Sequence, residues 1–313
     1  MGRWFLPVFL ESGGSLHIDE HVVDASLASP RAVRELIETY GFTFRRSLGQ
    51  NFLVDGNVLR SIIRTADVRA DDTIVEIGAG IGTLTRALAS CAKRVLTIEI
   101  DTRLHPILHE TMTHYDNIEL LTLDALALDW RGLWQDYELT QAKVVANLPY
   151  YITSPLLVNL LTAELPWESL VVMMQREVAE RLVAKPATKA YGTITVLASY
   201  YSNVEICQIV PPTVFMPQPA VDSAIVKFTM GRSKVEVVDS ALLWQVIKAG
   251  FAQRRKTLIN SLAATPLGGT IAKSTWRKIL LECGIDPQRR AETLTMEDFV
   301  VLTNKLSDYY STV

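Results

Sequence analysis

The feature that most constrains the fold is a series of short apolar runs separated by stretches of helical periodicity. The runs are rich in β-branched residues and have few polar interruptions, as expected of strands buried on both faces. Alternation of such strands with helices is typical of a mostly parallel sheet. Right-handed crossovers then predict a doubly wound α/β fold whose ligand site lies at the carboxyl ends of the strands. The runs are residues 73–77, 94–100, 118–123, 144–146 and 170–174.

Two later runs, residues 204–210 and 224–230, have no clear helical stretch between them. They predict an antiparallel hairpin at the edge of the sheet, which brings the expected sheet to seven strands. The segment between them, residues 210–219, is rich in proline. Proline removes a hydrogen-bond donor and restricts the backbone, so this segment is expected to form neither helix nor strand.

The pattern becomes purely helical after residues 231–233. Helical periodicity covers about residues 240–263, 274–283 and 296–307, with turn-forming segments between them. We therefore predict three parts: an N-terminal extension (1–33) that is poorly ordered, an α/β domain (34–232) and a small all-helical domain (233–313).

Composition is that of an ordinary globular protein. Hydrophobic residues make up 49% of the 313 residues and charged residues 21%, which is enough apolar material for a sizeable core. The three cysteines are far apart and indicate neither a disulfide framework nor a metal site. The apolar run near the N-terminus is too short to span a membrane. We expect a cytoplasmic protein with no membrane association.

A glycine-rich segment, residues 76–82, follows the first strand and opens a helix. Gly78, Gly80 and Gly82 would let the backbone approach a ligand closely. A dinucleotide site is the obvious rival, but its fingerprint has glycine or alanine where this chain has Thr83. The carboxylate of Glu76 would repel a pyrophosphate and attract a cation. The segment therefore favours S-adenosylmethionine, which carries an ammonium and a sulfonium.

Polar side chains end the next three predicted strands. Glu99 ends the second strand, Asp124 the third and Asn147 the fourth. An acid at the position of Glu99 can bind ribose hydroxyls. Asp124 can accept a hydrogen bond from an adenine amine, cap a helix, or do both. These side chains and Gly78 lie at successive strand ends on one edge of the sheet, so we expect one shared site.

The four residues 147–150, Asn-Leu-Pro-Tyr, stand where the fourth strand ends and a loop begins. The amide oxygen of Asn147 can accept a hydrogen bond, and the turn before Pro149 can aim a backbone carbonyl at the same point. Tyr150 can stack on an aromatic base, which is worth about 1–3 kcal/mol. Two acceptors facing one amino group suit a reaction in which that amine is the nucleophile. Taken alone, the four residues could equally form a tight turn with a half-buried tyrosine.

Together these motifs resemble those of the ribosomal RNA adenine dimethyltransferases, from about residue 40 to about residue 305. Three further stretches match: residues 45–53 are similar to the family's N-terminal cofactor motif, 215–223 to its substrate-side loop and 251–258 to the helix that opens its second domain. The resemblance implies a Rossmann-like methyltransferase that depends on S-adenosylmethionine, with residues 34–232 as the catalytic domain.

By position, the resemblance assigns a set of residues to the cofactor. Gly78 would approach its methionine part, Glu99 its ribose and Asp124 its adenine. The full set is Gln50, Asn51, Leu53, Glu76, Gly78, Gly80, Gly82, Glu99, Asp124, Ala125 and Asn147.

The resemblance also assigns the catalytic residues. Asn147 and the carbonyl of Pro149 would hold the target amine, while Tyr150 and Phe215 would hold the base between aromatic faces. No metal is expected, because residues 105–109 have two histidines four apart but lack the glutamate of a zinc helix.

The branch that the chain resembles most acts on two adjacent adenosines in a loop near the 3′ end of small-subunit ribosomal RNA. The implied partner is this RNA within an immature subunit, bound by a monomeric enzyme. Two alternatives stay open: a large-subunit methyltransferase of the antibiotic-resistance type, and a largely non-catalytic RNA-binding assembly factor. Residues 251–258 and the long second domain favour the small-subunit branch.

The net charge is −3, so RNA affinity must depend on local basic clusters. The residues expected to face RNA are Arg45, Arg46, Arg176, Arg181, Lys185, Lys189, Arg254, Arg255, Lys256, Arg289 and Arg290.

Overall fold

The computed structural model describes residues 23–45, 48–231, 236–267 and 271–312. The strands in these ranges are β1 (Phe52–Leu53), β2 (Thr73–Ile77), β3 (Arg94–Ile98), β4 (Ile118–Leu121), β5 (Ala142–Asn147), β6 (Trp167–Gln175), β7 (Ser202–Val210), β8 (Phe215–Met216) and β9 (Ser223–Met230). The helices are α1 (Pro30–Thr39), α2 (Gly56–Ala66), α3 (Thr83–Ala89), α4 (His105–Met112), α5 (Trp130–Asp136), α6 (Thr153–Thr162), α7 (Arg176–Leu182), α8 (Thr193–Tyr201), α9 (Ser240–Phe251), α10 (Leu258–Ala263), α11 (Lys273–Glu282) and α12 (Met296–Thr312).

The large sheet has seven strands in the order β4-β3-β2-β5-β6-β9-β7. The strands from β4 to β6 are parallel, while β9 and the edge strand β7 are antiparallel to their neighbours. The predicted seven-stranded, mostly parallel sheet with an antiparallel edge is therefore confirmed. Alternate residues of β2 enter different apolar clusters, Ile74 with the residues of α2 and Val75 with those of α6. Helices thus cover both faces, which is why the strands are almost continuously apolar.

The strand order reverses between β2 and β5. The chain runs outward from β2 through β3 to β4, and it then returns to the other side of β2 as β5. Connections that leave neighbouring parallel strands in opposite directions open a crevice at their carboxyl ends. The fold therefore places a crevice at the edge where the predicted site residues end their strands.

A second, two-stranded sheet was not predicted. Strand β1 pairs antiparallel with β8, with Phe52 opposite Met216 and Leu53 opposite Phe215. Strand β8 lies inside the proline-rich segment 210–219, so the expectation of no strand there is wrong for two residues. The reason is tertiary, since β8 pairs with a strand far away in the chain. This sheet joins the N-terminal cofactor motif to the substrate-side loop.

The C-terminal part is helical, as predicted, but its first helical stretch is divided. Helix α9 ends at Phe251 and α10 begins at Leu258, with an exposed turn between them. This part shares one apolar core with the α/β part, and the Tyr191 hydroxyl donates to the Leu294 carbonyl at 2.8 Å across the two. The predicted boundary at 232/233 lies outside the described residues.

The N-terminal extension needs a correction. The part of it that the structure describes, residues 23–33, is packed against the domain, so poor order is the wrong expectation there. The carboxylate of Asp24 bonds the Arg86 guanidinium at 2.7 Å and accepts from the Tyr115 hydroxyl. Although burial alone would raise it, these bonds lower the pKa of Asp24 to about 2. Helix α1 begins at Pro30, buries Val33 fully and crosses the predicted boundary. Residues 1–22 lie outside the described ranges.

Candidate active site

A cavity opens at the carboxyl edge of the sheet, around the reversal between β2 and β5. Its lining brings together most of the predicted site residues, although they come from five separate segments of the chain. Those that line it are Gln50, Asn51, Leu53, Gly78, Gly80, Glu99, Asp124, Ala125, Asn147, Pro149 and Tyr150.

The floor of the cavity is the glycine loop after β2. Gly78 has a φ of +84° and Gly80 a φ of +59°, a region that residues with a Cβ rarely adopt. A Cβ on Gly80 would also lie 3.2 Å from the ring of Phe52. Glycine is therefore required at position 80 both by the backbone and by the close approach of the N-terminal segment.

Glu99 and Asp124 supply the carboxylates of the cavity. Glu99 is almost buried, and its oxygens accept from the N–H groups of Gly80 and Asp101, each at 2.9 Å. Burial raises the pKa of Glu99, and these backbone donors oppose that shift. Asp124 is exposed and uses one oxygen to accept from the Leu126 N–H at 2.9 Å. That bond is a local turn, which leaves the other oxygen available to a ligand.

The N-terminal segment forms a third wall. Gln50 accepts from the Arg45 N–H at 2.9 Å and donates through Nε2 to Asp101 at 2.8 Å. The carbonyl of Asn51 accepts from the Asn147 side chain at 3.2 Å. These bonds hold a segment that is distant in sequence against the ends of β3 and β5.

Asn147 presents an acceptor to the cavity. Its Nδ2 donates to the Asn51 carbonyl, so the amide is oriented and its Oδ1 faces away from that bond. No donor in the described parts of the chain contacts Oδ1. The local bond from the Leu148 N–H to the Met173 carbonyl, at 3.1 Å, extends the β5–β6 ladder by one residue and anchors the turn.

Two backbone carbonyls, those of Leu148 and Pro149, follow Asn147 in the turn, and they differ in their hydrogen bonds. The Pro149 carbonyl accepts from the Ile152 N–H and from the Thr153 hydroxyl, both at 3.2 Å, because it begins the turn into α6. It therefore already accepts two hydrogen bonds in this arrangement, and its role in holding the target amine stays a prediction. The carbonyl of Leu148 receives no hydrogen bond from any described residue, and it is the free carbonyl beside Asn147.

The two predicted aromatic faces differ. Tyr150 lines the cavity, and its hydroxyl is 2.6 Å from that of Ser223. Phe215 does not line it: the ring is 3% exposed and packs in an apolar cluster with Leu53 and Ile225. Residues alternate along β8, and pairing with Leu53 turns Phe215 inward. In this arrangement the ring belongs to the core, and its role as a base-stacking face stays a prediction.

Two predicted cofactor contacts also lie outside the lining. Glu76 is fully buried within β2, where one oxygen accepts from the Thr97 hydroxyl at 2.6 Å and the other has no partner in the described structure. Burial raises the pKa of Glu76 to about 7. Gly82 faces α4, and a Cβ there would lie 2.8 Å from the Thr111 hydroxyl. Glu76 and Gly82 therefore support the glycine loop from behind in this arrangement, and their assignment as cofactor contacts stays a prediction.

The chemistry of the lining suits a cationic ligand. Among the lining residues that the structure describes, Glu99 and Asp124 are the only ones with charged side chains, and none is a lysine, arginine or histidine. A pyrophosphate would meet repulsion here, whereas a sulfonium and an ammonium would be attracted. The residues present fit S-adenosylmethionine, and they disfavour the nicotinamide dinucleotide that a glycine-rich loop alone could have indicated.

A comparison with family models decides the relationship. The model of the ribosomal RNA adenine dimethylase family matches residues 41–302. This chain belongs to that family. The predicted relationship is therefore confirmed, as are the methyltransferase fold and dependence on S-adenosylmethionine.

Individual relatives of this dimethylase agree. A protein of Geobacillus kaustophilus named ribosomal RNA small subunit methyltransferase A is 46% identical over 287 residues, which cover 91% of this chain and 98% of the relative. The crystal structure of a dimethyladenosine transferase from Plasmodium falciparum has a TM-score of 0.69 and 26% identity, over 82% of this chain and 98% of that one. The 23S rRNA methyltransferase ErmE has a TM-score of 0.59 and 26% identity, over 82% of this chain and 100% of its own.

The dimethylase has apolar lining residues that sequence reasoning missed. Ile100, Leu123 and Tyr151 line the cavity and are 47%, 38% and 54% exposed. Large apolar side chains with that much exposure around one cavity indicate a surface that a ligand covers. The sequence could have indicated these three residues, because each is next to a predicted site residue in the chain.

The predicted RNA-facing cations of the dimethylase fall into two groups. Several are engaged in ion pairs: Arg176 with Glu180 and Asp222, Arg181 with Glu177, Arg254 with Glu292, and Arg289 with Asp298. Arg46 lies outside the described residues. The others are exposed and have no ion pair within the described ranges: Arg45, Lys185, Lys189, Arg255, Lys256 and Arg290.

Two classes of feature are not found in the described parts of the dimethylase. No group of three or more histidine, cysteine, aspartate or glutamate side chains there could hold a metal ion. None of the helices described has the length and apolar character needed to cross a bilayer.

Proposed function

We propose that this dimethylase transfers methyl groups from S-adenosylmethionine to the exocyclic amines of two adjacent adenosines in a loop near the 3′ end of small-subunit ribosomal RNA. The products would be dimethyladenosines, formed during ribosome biogenesis. The observation that carries the proposal is the pair of free acceptors, Asn147 Oδ1 and the Leu148 carbonyl, beside a cavity lined by carboxylates. The identity of 46% to a small-subunit methyltransferase supports the choice of substrate.

The residues of the chain act mainly on the acceptor amine. The lone pair of adenine's exocyclic nitrogen is delocalised into the ring, so the amine is a poor nucleophile. Hydrogen bonds from its two N–H groups to Asn147 and Leu148 favour a more tetrahedral nitrogen with a localised lone pair. Stacking on Tyr150 would hold the unpaired base in place. Most of the acceleration would then come from positioning and from preorganised dipoles.

The bound cofactor would supply an electrophilic methyl group on a sulfonium. No strong base is required from the protein, because the nitrogen becomes acidic once it is methylated and its proton can leave to water. Glu99 would accept from the ribose hydroxyls and Asp124 from the adenine amine, which fixes the donor end of the cavity. The absence of a histidine from the described lining agrees with this mechanism.

The remaining assignments complete the proposal. Residues 34–232 would form the catalytic domain and residues 233–313 a helical domain that contacts RNA. The unpaired exposed cations of the turn after α9, Arg255 and Lys256, would bind phosphates. The substrate would be an immature small subunit in the cytoplasm, bound by a monomeric enzyme.

The test is methylation of ribosomal subunits that lack the modification. Purified small and large subunits are incubated with the protein and labelled S-adenosylmethionine, and the modified nucleotides are mapped by mass spectrometry. We expect two adjacent dimethyladenosines in the small subunit and no product in the large one. Methylation of the large subunit would establish the ErmE-like alternative, and tight RNA binding without any methylation would establish an assembly factor.

A further inference from the structure

Asp101 links two walls of the cavity without lining it. It lies two residues beyond Glu99, and its side chain is 3% exposed. Oδ2 of the carboxylate accepts from Gln50 Nε2 at 2.8 Å and also from Arg103 Nη2, and Oδ1 accepts from Arg103 Nε at 2.8 Å. Its own N–H donates to Glu99 Oε1 at 2.9 Å. Asp101 therefore contacts one residue of the N-terminal wall and one carboxylate of the β3 wall.

These bonds form one continuous path through the site. It runs from the Gln50 side chain through Asp101 to Glu99, whose second oxygen accepts from the Gly80 N–H. The path therefore joins the N-terminal wall, the end of β3 and the glycine loop. None of the other polar contacts described at the cavity connects all three.

Arg103 extends the same junction to the outside. Its Nη1 donates to the Thr43 carbonyl at 3.2 Å, and its guanidinium carbon lies 5.0 Å from the centroid of the Phe42 ring. Asp101 fixes the guanidinium by accepting from both of its ends. The N-terminal wall, defined here as residues 42–45 and 48–51, is thus held at two places by groups that Asp101 orients.

A purely local role for Asp101 must be weighed. The aspartate also accepts from the Arg103 N–H at 3.2 Å and caps the single 3-10 turn that precedes α4. Asp129 does the same for α5, accepting from the Arg131 N–H at 3.1 Å, but it is exposed and does not line the cavity. The two aspartates share the Asp-x-Arg pattern and the capping bond. They differ in the bond to Gln50, in the ion pair that Asp101 makes with Arg103 and in burial, so Asp129 is a control for the capping bond alone.

We propose that Asp101 is a positioning residue that closes the N-terminal wall over the cofactor and holds the ribose-binding carboxylate of Glu99 in register with it. The inference rests on the proposed function, because it deepens the role of the same cavity. It predicts that cofactor affinity depends on a residue that does not touch the cofactor.

The informative variant is D101N. Asparagine caps a helical turn as well as aspartate does and keeps the same shape. Its oxygen, placed as Oδ1, can still accept from the Arg103 N–H and Nε, but its nitrogen would then face two donors, Gln50 Nε2 and Arg103 Nη2. Gln50 cannot escape by flipping its amide, since its own oxygen already accepts from the Arg45 N–H. The substitution therefore breaks the link between the walls and preserves the cap.

The probe is S-adenosylhomocysteine, whose binding is measured by calorimetry without any methyl transfer. We expect D101N and Q50A each to weaken its binding about ten- to a hundredfold, as for loss of a hydrogen bond to a charged group. Both substitutions remove the same interaction, so their effects should not add. The affinity of the double variant D101N/Q50A should therefore lie within about twofold of that of the single variant that binds more weakly. D129N should bind like the wild type.

Amide hydrogen exchange separates positioning from capping. In D101N, exchange should accelerate in peptides covering residues 42–51, whereas loss of a cap alone would accelerate only those covering residues 102–112. If D101N does not fold, Q50A and R103Q remove the two links singly, and each should show the same pattern. Unchanged affinity in D101N, additive losses in the double variant, or an equal loss in D129N would overturn the inference.

The wild-type measurement keeps the two proposals apart. A wild type that binds S-adenosylhomocysteine, with D101N binding equally well, would overturn the role of Asp101 alone. A wild type that does not bind it would overturn the proposed function together with this inference.

Discussion

The cavity has a cofactor half, at the glycine loop and the end of β3, and a base half, at the turn after β5. The two halves differ in how many of their polar groups already have hydrogen-bond partners within the protein. In the cofactor half, Gln50, Asn51 and Glu99 have hydrogen bonds that cross from one wall to another. In the base half, Asn147 Oδ1 and the Leu148 carbonyl accept nothing from the described residues. A polar group left without a partner when water is excluded costs about 1–3 kcal/mol. The base half therefore gains most from an incoming amine, and the cofactor half gains from being rigid beforehand.

The largest expected effect tests the base half. N147A removes the side-chain acceptor, so turnover should fall about a hundred- to a thousandfold, the range for loss of one preorganised contact to a reacting group. Affinity for S-adenosylhomocysteine should stay within about tenfold, because the lost bond to the Asn51 carbonyl is a neutral one. Single-turnover kinetics and calorimetry measure the two effects.

The control for this variant is N117A. Asn117 also donates to backbone carbonyls, those of Ala89 and Ala92, but it does not line the cavity. It should lose stability and keep turnover. Equal losses of turnover and cofactor affinity in N147A would mean that the two halves are not distinct.

The next largest effect concerns Glu76, the buried acid beneath the glycine loop, and the pH dependence of stability. Burial raises the pKa of Glu76 from 4.5 to about 7, so the folded state holds the proton more tightly than the unfolded state does. Wild-type stability should therefore fall as the pH rises from about 4.5 to about 7, by about 2–3 kcal/mol between pH 5 and pH 8.

The variant E76Q removes this titration. Its free energy of unfolding, measured with urea, should lack that fall, so the stability difference between variant and wild type should change by the same amount. The comparison is made without cofactor, since a bound cation would favour the charged carboxylate. Parallel pH profiles for the two proteins would show that the pKa of Glu76 is not raised in the folded state.

A smaller effect tests the cofactor half directly. E99Q keeps an oxygen for the Gly80 N–H, but its nitrogen would face the Asp101 N–H. It also replaces charge-assisted bonds to the ribose by neutral ones, so affinity for S-adenosylhomocysteine should fall at least about tenfold. Turnover at saturating cofactor should change little, the reverse of N147A. E119Q, at the half-buried Arg94–Glu119 pair away from the cavity, is the control and should bind normally. A turnover defect in E99Q that excess cofactor does not repair would contradict the division into halves.

The smallest effect concerns Phe215. If its ring is a core element, F215L should cost less than about 1.5 kcal/mol of stability, as for other swaps of similar volume, and leave turnover nearly unchanged. F228L, at a fully buried position of β9, should behave in the same way. If the ring stacks on the base during the reaction, turnover in F215L should fall about tenfold, since stacking is worth about 1–3 kcal/mol.

The sequence predicted the position of a site residue best where that residue stands at the end of a parallel strand. Gly78, Gly80, Glu99, Asp124 and Asn147 were all expected at one edge, and all line the cavity. Their positions follow from strand ends, and parallel strands bring their ends together whatever the details of packing.

The sequence does not decide the orientation of a side chain that could point to either of two sides. Glu76 and Phe215 lie within strands, so a shift of one residue decides between cavity and core. The same holds for the backbone carbonyl of Pro149. Which of two successive carbonyls stays free depends on whether the turn into α6 uses one of them, and the motif does not encode that choice.

The sequence by itself determined the seven-stranded sheet, the cation-favouring edge and the family, because hydrophobic periodicity and strand-end residues are local properties of the chain. Only the tertiary structure decided which groups face the cavity. The N-terminal wall reaches it through bonds between Gln50 and Asp101, and β1 pairs with β8, across separations that no local pattern records. Hydrogen bonds of this kind depend on distance in space, and distance in space is set by packing of the whole domain.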